Sequence, residues 1–121
     1  MDQMLAQLTE QDGRACIRIS DIKGYGPLSD HMLSVSGRRK EHFLVTTMYS
    51  CLSMSDSLGV AFSASFAEVC GGGMSRVTTR SESCPIKHIF KFASRDDAFT
   101  TIDVAKARRE AIEQFPDSVE P

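Results

Sequence analysis

No tryptophan and no asparagine occur among the 121 residues, and there are only two tyrosines and four prolines. Without asparagine there is no N-glycosylation acceptor. No uninterrupted apolar run approaches the roughly 20 residues of a transmembrane helix, so no membrane span is expected. A basic excess is missing as well: 14 Lys and Arg stand against 16 Asp and Glu. Phosphate contacts dominate the affinity of nucleic-acid domains, which therefore carry a strong positive excess, so that class is disfavoured. Chemical motifs are equally scarce. The cysteines form no C-x-x-C pair, the signature of zinc ribbons and thioredoxin-like sites. Neither G-x-S-x-G nor H-E-x-x-H is present. Gly71-Gly72-Gly73 lacks the following Lys-Ser or Lys-Thr of a phosphate-binding loop. Gly24-Tyr25-Gly26-Pro27-Leu28-Ser29 begins like a dinucleotide fingerprint, but Ser29 replaces the third glycine and a strand pattern follows in place of a helix. No catalytic residue is therefore named, no cofactor is expected, and the chain is read as non-enzymatic.

What is present describes one ordinary globular domain. Apolar residues make up 41% and charged residues 25%, and a chain of this length buries roughly two thirds of its unfolded surface. Charge is unevenly placed. Residues 1–12 carry Asp2, Glu10 and Asp12 and nothing basic. Residues 13–93 carry ten Arg or Lys against six Asp or Glu, and residues 94–121 carry four against seven. A mildly basic body thus lies between acidic ends. The one basic run, Arg38-Arg39-Lys40, fits a solvated hairpin tip.

Hydrophobic period organises the rest. Met4, Leu5 and Leu8 have helical spacing and Gly13 follows, which predicts a short helix or arm over residues 1–13. Alternation then predicts strands over residues 15–22, 31–36, 41–48, 59–63, 66–70, 74–80 and 84–92, with residues 23–27 as a turn-rich loop and residues 37–40 as a hairpin connection. In the last strand Ile86, His88, Phe90 and Phe92 are expected on one face. The period changes to near 3.6 after residue 93. Val104, Ala105, Arg108, Ala111, Ile112 and Phe115 form one stripe, with Thr100 as cap and Pro116 as stop. The expected fold is mainly β (α+β): a small antiparallel β-barrel or sandwich of six to seven strands (residues 14–93) with a C-terminal amphipathic helix and tail (residues 94–121).

Cys16, Cys51, Cys70 and Cys84 allow three disulfide pairings. Strand logic favours Cys16 with Cys84 and Cys51 with Cys70, because first and last strands of small barrels are commonly neighbours. The alternative is four reduced, buried thiols in a cytosolic protein. No apolar signal segment follows Met1-Asp2.

Read together, several segments form a pattern. Cys16 lies in an Ile-rich strand, followed by Leu28-Ser29-Asp30-His31-Met32-Leu33, Arg38-Arg39, and Glu41-His42-Phe43-Leu44-Val45. Cys51, Gly59-Val60-Ala61-Phe62, Val69-Cys70, Arg76-Val77-Thr78 and Cys84-Pro85-Ile86-Lys87-His88-Ile89 complete it. This pattern resembles an uncharacterised proteobacterial group, the domain-of-unknown-function family 6491. The resemblance implies a small exported protein, periplasmic or secreted, with Cys16, Cys51, Cys70 and Cys84 as disulfide cysteines. It carries no activity and no catalytic residue.

The histidines complete the inventory. His31 and His42, on facing hairpin strands, are weak metal candidates. His88 alternates with Ile86 and Phe90 and is read as structural. The expected function is an exported, disulfide-stabilised β-barrel module that binds a protein or a surface ligand as a monomer, through Tyr25 in its loop and Arg38, Arg39 and Lys40. Two alternatives are a cytosolic Cys/His metal or redox sensor and a weak oligonucleotide-binding barrel. The latter has few stacking candidates beyond Tyr25, Phe43 and Tyr49.

Overall fold

The computed structural model describes residues 2–29, 31–49, 61–63, 68–72, 75–78 and 83–114. It is a mainly β protein with a C-terminal helix. Helix α1 (Asp2–Thr9) opens the chain and ends where Glu10 takes a left-handed φ of 58°. Strand β1 (Cys16–Arg18) follows, then a single 3-10 turn, Ile19–Asp21. The strand expected over residues 15–22 is therefore cut short. The supposed loop at residues 23–27 is instead strand β2 (Gly24–Pro27). Strands β3 (Met32–Ser36) and β4 (His42–Thr47) form the expected hairpin. Strands β5 (Ala61–Ser63), β6 (Glu68–Cys70), β7 (Arg76–Thr78) and β8 (Ser83–Phe92) precede helix α2 (Arg95–Gln114).

Six strands form one antiparallel sheet in the order β2-β3-β4-β8-β7-β5, and β1 pairs with β6 in a second, two-stranded sheet. Both faces of the large sheet are covered. On one face Leu33, Val35, Phe43, Val45 and Ile89 pack with Ile17 and Val69 of the small sheet. On the other, Met32, Leu44, Phe90 and Phe92 pack beneath Leu5 of α1 and Ala98, Ile102 and Ala105 of α2.

Two details of β8 and α2 depart from the simple periods. The β4–β8 register runs Thr46 to His88 and then Thr47 to Ile86, so Lys87 is an extra residue on β8. Such a bulge reverses the alternation. Ile86 consequently joins Ile89 on the small-sheet face, while Phe90 and Phe92 face the helices. Helix α2 begins at Arg95, not after Thr100. Ser94 caps it, its Oγ accepting from the Asp97 N–H at 3.2 Å. The buried stripe moves with that start to Ala98, Ile102 and Ala105, and Val104, expected inside, is 41% exposed. Pro116 and Phe115 lie outside the described residues.

Close backbone packing explains one glycine of the Gly run. A Cβ on Gly71 would lie 1.9 Å from the Gly13 carbonyl oxygen and 2.5 Å from the Ile89 nitrogen. The segment after α1 runs beside β8 there, with Ile89 N–H donating to Gly13 and Gly71 N–H donating to Ala15. Gly13 itself has a φ of 79° and would place a Cβ against His88.

Candidate functional site

The cysteines correct the strand-based pairing. Cys16 and Cys70 are direct partners in the β1–β6 register and form a disulfide across 4.1 Å between Cα atoms. Cys84 stands opposite Val77 in the large sheet, and it is disulfide-bonded as well. The reason is register: the chain entering β1 meets β8 at Ile89, and β1 itself then pairs with β6, so Cys16 stands opposite Cys70 and not Cys84. Cys51 lies outside the described residues. The reduced-thiol alternative does not hold for the three described cysteines. Cys16, Glu68 and Cys70 form the one metal-like cluster among the described residues, and two of its three ligands are consumed by the disulfide.

The histidines are separated. His42 pairs with Ser36 near the hairpin tip, whereas the His31 carbonyl accepts from Thr47 N–H at the other end. Five residues of strand, roughly 17 Å, lie between them, so the hairpin does not bring His31 and His42 together on a metal. Arg38, Arg39 and Lys40 are exposed at the tip, where Arg39 takes a φ of 59°. Of the stacking candidates, Tyr25 and Tyr49 are exposed, but Phe43 is buried in the core.

The helix-facing side of the large sheet has a polar end on each flank of its apolar middle. At one end His88 Nδ1 lies 2.7 Å from Asp2 Oδ2, and Thr46 Oγ1 donates to the same oxygen at 2.7 Å. Burial works to raise the Asp2 pKa, but the hydrogen bonds from His88 and Thr46 and the charges of His88 and Lys87 together hold it below the usual carboxylate value. This network ties α1 to β4 and β8. Beside it runs a groove of about 690 Å³, which mixes Met32, Met48 and Ile102 with Asp2, Lys87 and Asp103.

The other end is a cleft of about 310 Å³ between strand β2 and the start of α2. Its floor follows from register. Gly24 and Gly26 of β2 stand beside Ser36 and Ser34 of β3, and His42 of β4 lies opposite Ser36. A Cβ on either glycine would meet nothing within 4 Å, so the missing side chains leave open space over the sheet. The wall is Phe99, with the Arg95 guanidinium 5.0 Å from its ring centroid. The His42 ring is tilted against Phe99 at 6.0 Å.

Ser34 and His42 Nε2 are hydrogen-bonded beneath this cleft, and both residues are more than nine-tenths buried. Burial, and then the nearby Arg95 charge, push the His42 pKa below its usual value. No acidic residue lines the cleft among the described residues. Tyr25, named from the sequence, lies on its rim together with Pro27 and Leu28; the basic hairpin tip is not part of it. His42 was named only as a weak metal candidate, and Ser34, Ser36, Arg95 and Phe99 were not anticipated as part of a site. A usable signal was present: in Leu33-Ser34-Val35-Ser36 the small polar residues occupy every second position of a strand whose other face is apolar throughout.

No curated protein and no solved structure matches this chain. A family model does match it, over residues 1–115, described as a family of unknown function (DUF6491). That match covers nearly the whole sequence, and the chain belongs to the DUF6491 family.

Proposed function

We propose that this protein is an exported, disulfide-stabilised, non-enzymatic binding module whose ligand site is the cleft between β2 and the first turn of α2. The observation that carries the reading is the cleft itself. It is a concave space with an aromatic wall and a few convergent polar groups, the usual make-up of a small-ligand site. Export is supported by the cross-linked cysteines, because disulfides persist in oxidising compartments and are rare in reducing ones. A Cys/His sensor has little to stand on here: the described cysteines are bonded and the histidines are dispersed.

Two measurements test the reading. Thiol titration of denatured, unreduced protein recovered from an oxidising compartment is expected to find no free thiol; four free thiols would remove the support for export. A fragment screen followed by amide resonances is expected to shift Gly24, Gly26, Ser34, His42 and Phe99 together. Hits confined to the groove beside Met48 and Ile102 would refute the cleft as the ligand site.

A further inference from the structure

The chemistry of the same cleft narrows what it accepts. We infer that it takes a small organic oxyanion: a carboxylate or phosphate on a compact apolar body. The inference rests on the reading of the cleft as the ligand site and goes beyond it to the ligand class.

Charge is the first argument. The chain has more acidic than basic residues, yet among the described residues the cleft lining holds Arg95 and His42 and no carboxylate. Arg95 is also the first residue of a 20-residue helix, whose N-terminal end carries partial positive charge. Asp96 and Asp97 share that first turn, but they are exposed and do not line the cleft. The guanidinium presents a planar fork of donors that matches carboxylate and phosphate oxygens in pairs. Stacked over Phe99, it is already oriented at the mouth.

Shape is the second argument. At about 310 Å³ the space is at the small end of ligand clefts. Gly24 and Gly26 keep it open, and Phe99, Pro27 and Leu28 offer apolar surface to the body of the ligand.

The Ser34–His42 pair is the third. In the neutral tautomer of His42 that carries its proton on Nδ1, Nε2 accepts from the Ser34 hydroxyl. A proton on Nε2 reverses that bond, so the imidazolium donates to Ser34 Oγ and the hydroxyl hydrogen is released to point elsewhere. An anion in the cleft supplies the acceptor for it and offsets the charge on His42. Anion binding and proton uptake by His42 are therefore coupled, and each favours the other. The groups facing His42 are Ser34 and Ser36 from β3, Phe92 from β8, and Arg95 and Phe99 from α2. Glu41, its neighbour in sequence, is engaged by Lys91 at 3.0 Å. Arg95, a permanent cation, opposes the protonation until an anion lies between the two.

The test titrates benzoate, phenyl phosphate and the neutral isostere benzamide against the full chain by calorimetry. It uses the native protein, Arg95→Gln and Gly26→Val. Arg95 is exposed and Gly26 has open space beside it, so both variants should fold. At least one anion is expected to bind saturably at one per chain, with benzamide weaker by about ten-fold or more. Arg95→Gln should weaken the anion by about ten-fold and leave benzamide unchanged. Lowering the pH from about 8 to about 5.5 should tighten anion binding, with proton uptake seen across buffers of different ionisation enthalpy. Gly26→Val should abolish all binding. Equal binding of benzoate and benzamide, an indifferent Arg95→Gln, or no saturable binding of either anion overturns the oxyanion inference. If Gly26→Val still blocks benzamide in the first two of these cases, the cleft remains the ligand site. Binding that Gly26→Val does not touch overturns the cleft reading itself.

Discussion

Removing the Cys16–Cys70 cross-link, as the double variant Cys16→Ala with Cys70→Ala, should cost a large share of the stability of a domain this size. The two cysteines are 54 residues apart. On the chain-entropy account, closing such a loop removes about 14 cal/mol/K from the denatured chain, or about 4 kcal/mol at 25 °C. That is an upper figure, because the Cys84 disulfide already restrains the same denatured chain. The native side adds little to the loss. Strands β1 and β6 remain paired through Ile17 and Val69, both buried in the core. Small domains commonly have only about 5–15 kcal/mol in total. Urea unfolding is the assay, read by both midpoint and slope. The midpoint should fall, and the m-value should rise, because a chain freed of one cross-link exposes more surface when it unfolds. A loss under about 1 kcal/mol with an unchanged m-value would refute the reasoning. Peptide mapping without reduction checks the pairing, and a Cys16–Cys84 peptide would contradict the β1–β6 register.

Glycine substitutions should divide sharply. Gly71→Ala drives a Cβ into the Gly13 carbonyl and should prevent folding or cost about 3 kcal/mol or more, whereas Gly24→Ala, with open space at its Cβ, should stay within about 1 kcal/mol in urea melts. Acid should weaken the fold in two steps. The His42 pKa is lowered in the native state, so its contribution is complete above the ordinary 6.5 and is lost as pH falls toward the native value. Asp2 follows below its ordinary 3.8 for the same reason, and Asp2→Asn should erase only that second step in stability measured against pH. Replacing the pair beneath the cleft, as Ser34→Ala with His42→Phe, should leave urea stability within about 1.5 kcal/mol of the parent or raise it, while fragment binding to the cleft is lost.

Much of the architecture was legible in the sequence, and what was hidden has physical causes. The β3–β4 hairpin was readable because Leu33, Val35, Phe43 and Val45 alternate on one buried face. Strand β2 was not, because Gly-Tyr-Gly-Pro reads as a turn by composition; pairing with β3 overrides that local preference at the edge of the sheet. The start of α2 was misplaced because Ser94 and Thr100 are both acceptable caps, and only packing of Ala98 against the sheet decides between them. The face of Ile86 was misread because a one-residue bulge leaves no mark on period-two alternation. The disulfide partners were misassigned because pairing depends on which strands are neighbours, and strand order is not local information. The cleft escaped for the same reason: Ser34 and His42 are eight positions apart, and Arg95 comes from another element altogether.

The two faces of the large sheet suggest why that cleft exists. On the small-sheet face Leu33, Val35, Phe43, Val45 and Ile89 form the apolar middle, and the polar residues that end their rows, Glu41 and Lys91, pair with each other where solvent reaches them. On the helix side the equivalent rows begin and end in polar residues, His42 with Ser36 at one flank and Thr46 with His88 at the other. A covered sheet gains less from such positions than from apolar ones, since a buried polar group must first offset in hydrogen bonds what it loses in hydration. At the Asp2 flank the polar groups have structural employment: they fasten α1 to the sheet. At the His42 flank, among the described residues, no hydrogen bond fastens a helix to the sheet; the His42 ring only leans against Phe99 of α2. Ser34 satisfies His42 without joining two elements other than the adjacent strands of one hairpin, and the side-chain-free β2 leaves open space above them. A pair that is desolvated, satisfied among the described residues by its neighbour, and placed beneath open space has its remaining use in what enters that space. That argument makes the cleft, and not the basic hairpin tip, the place to look for this protein's ligand.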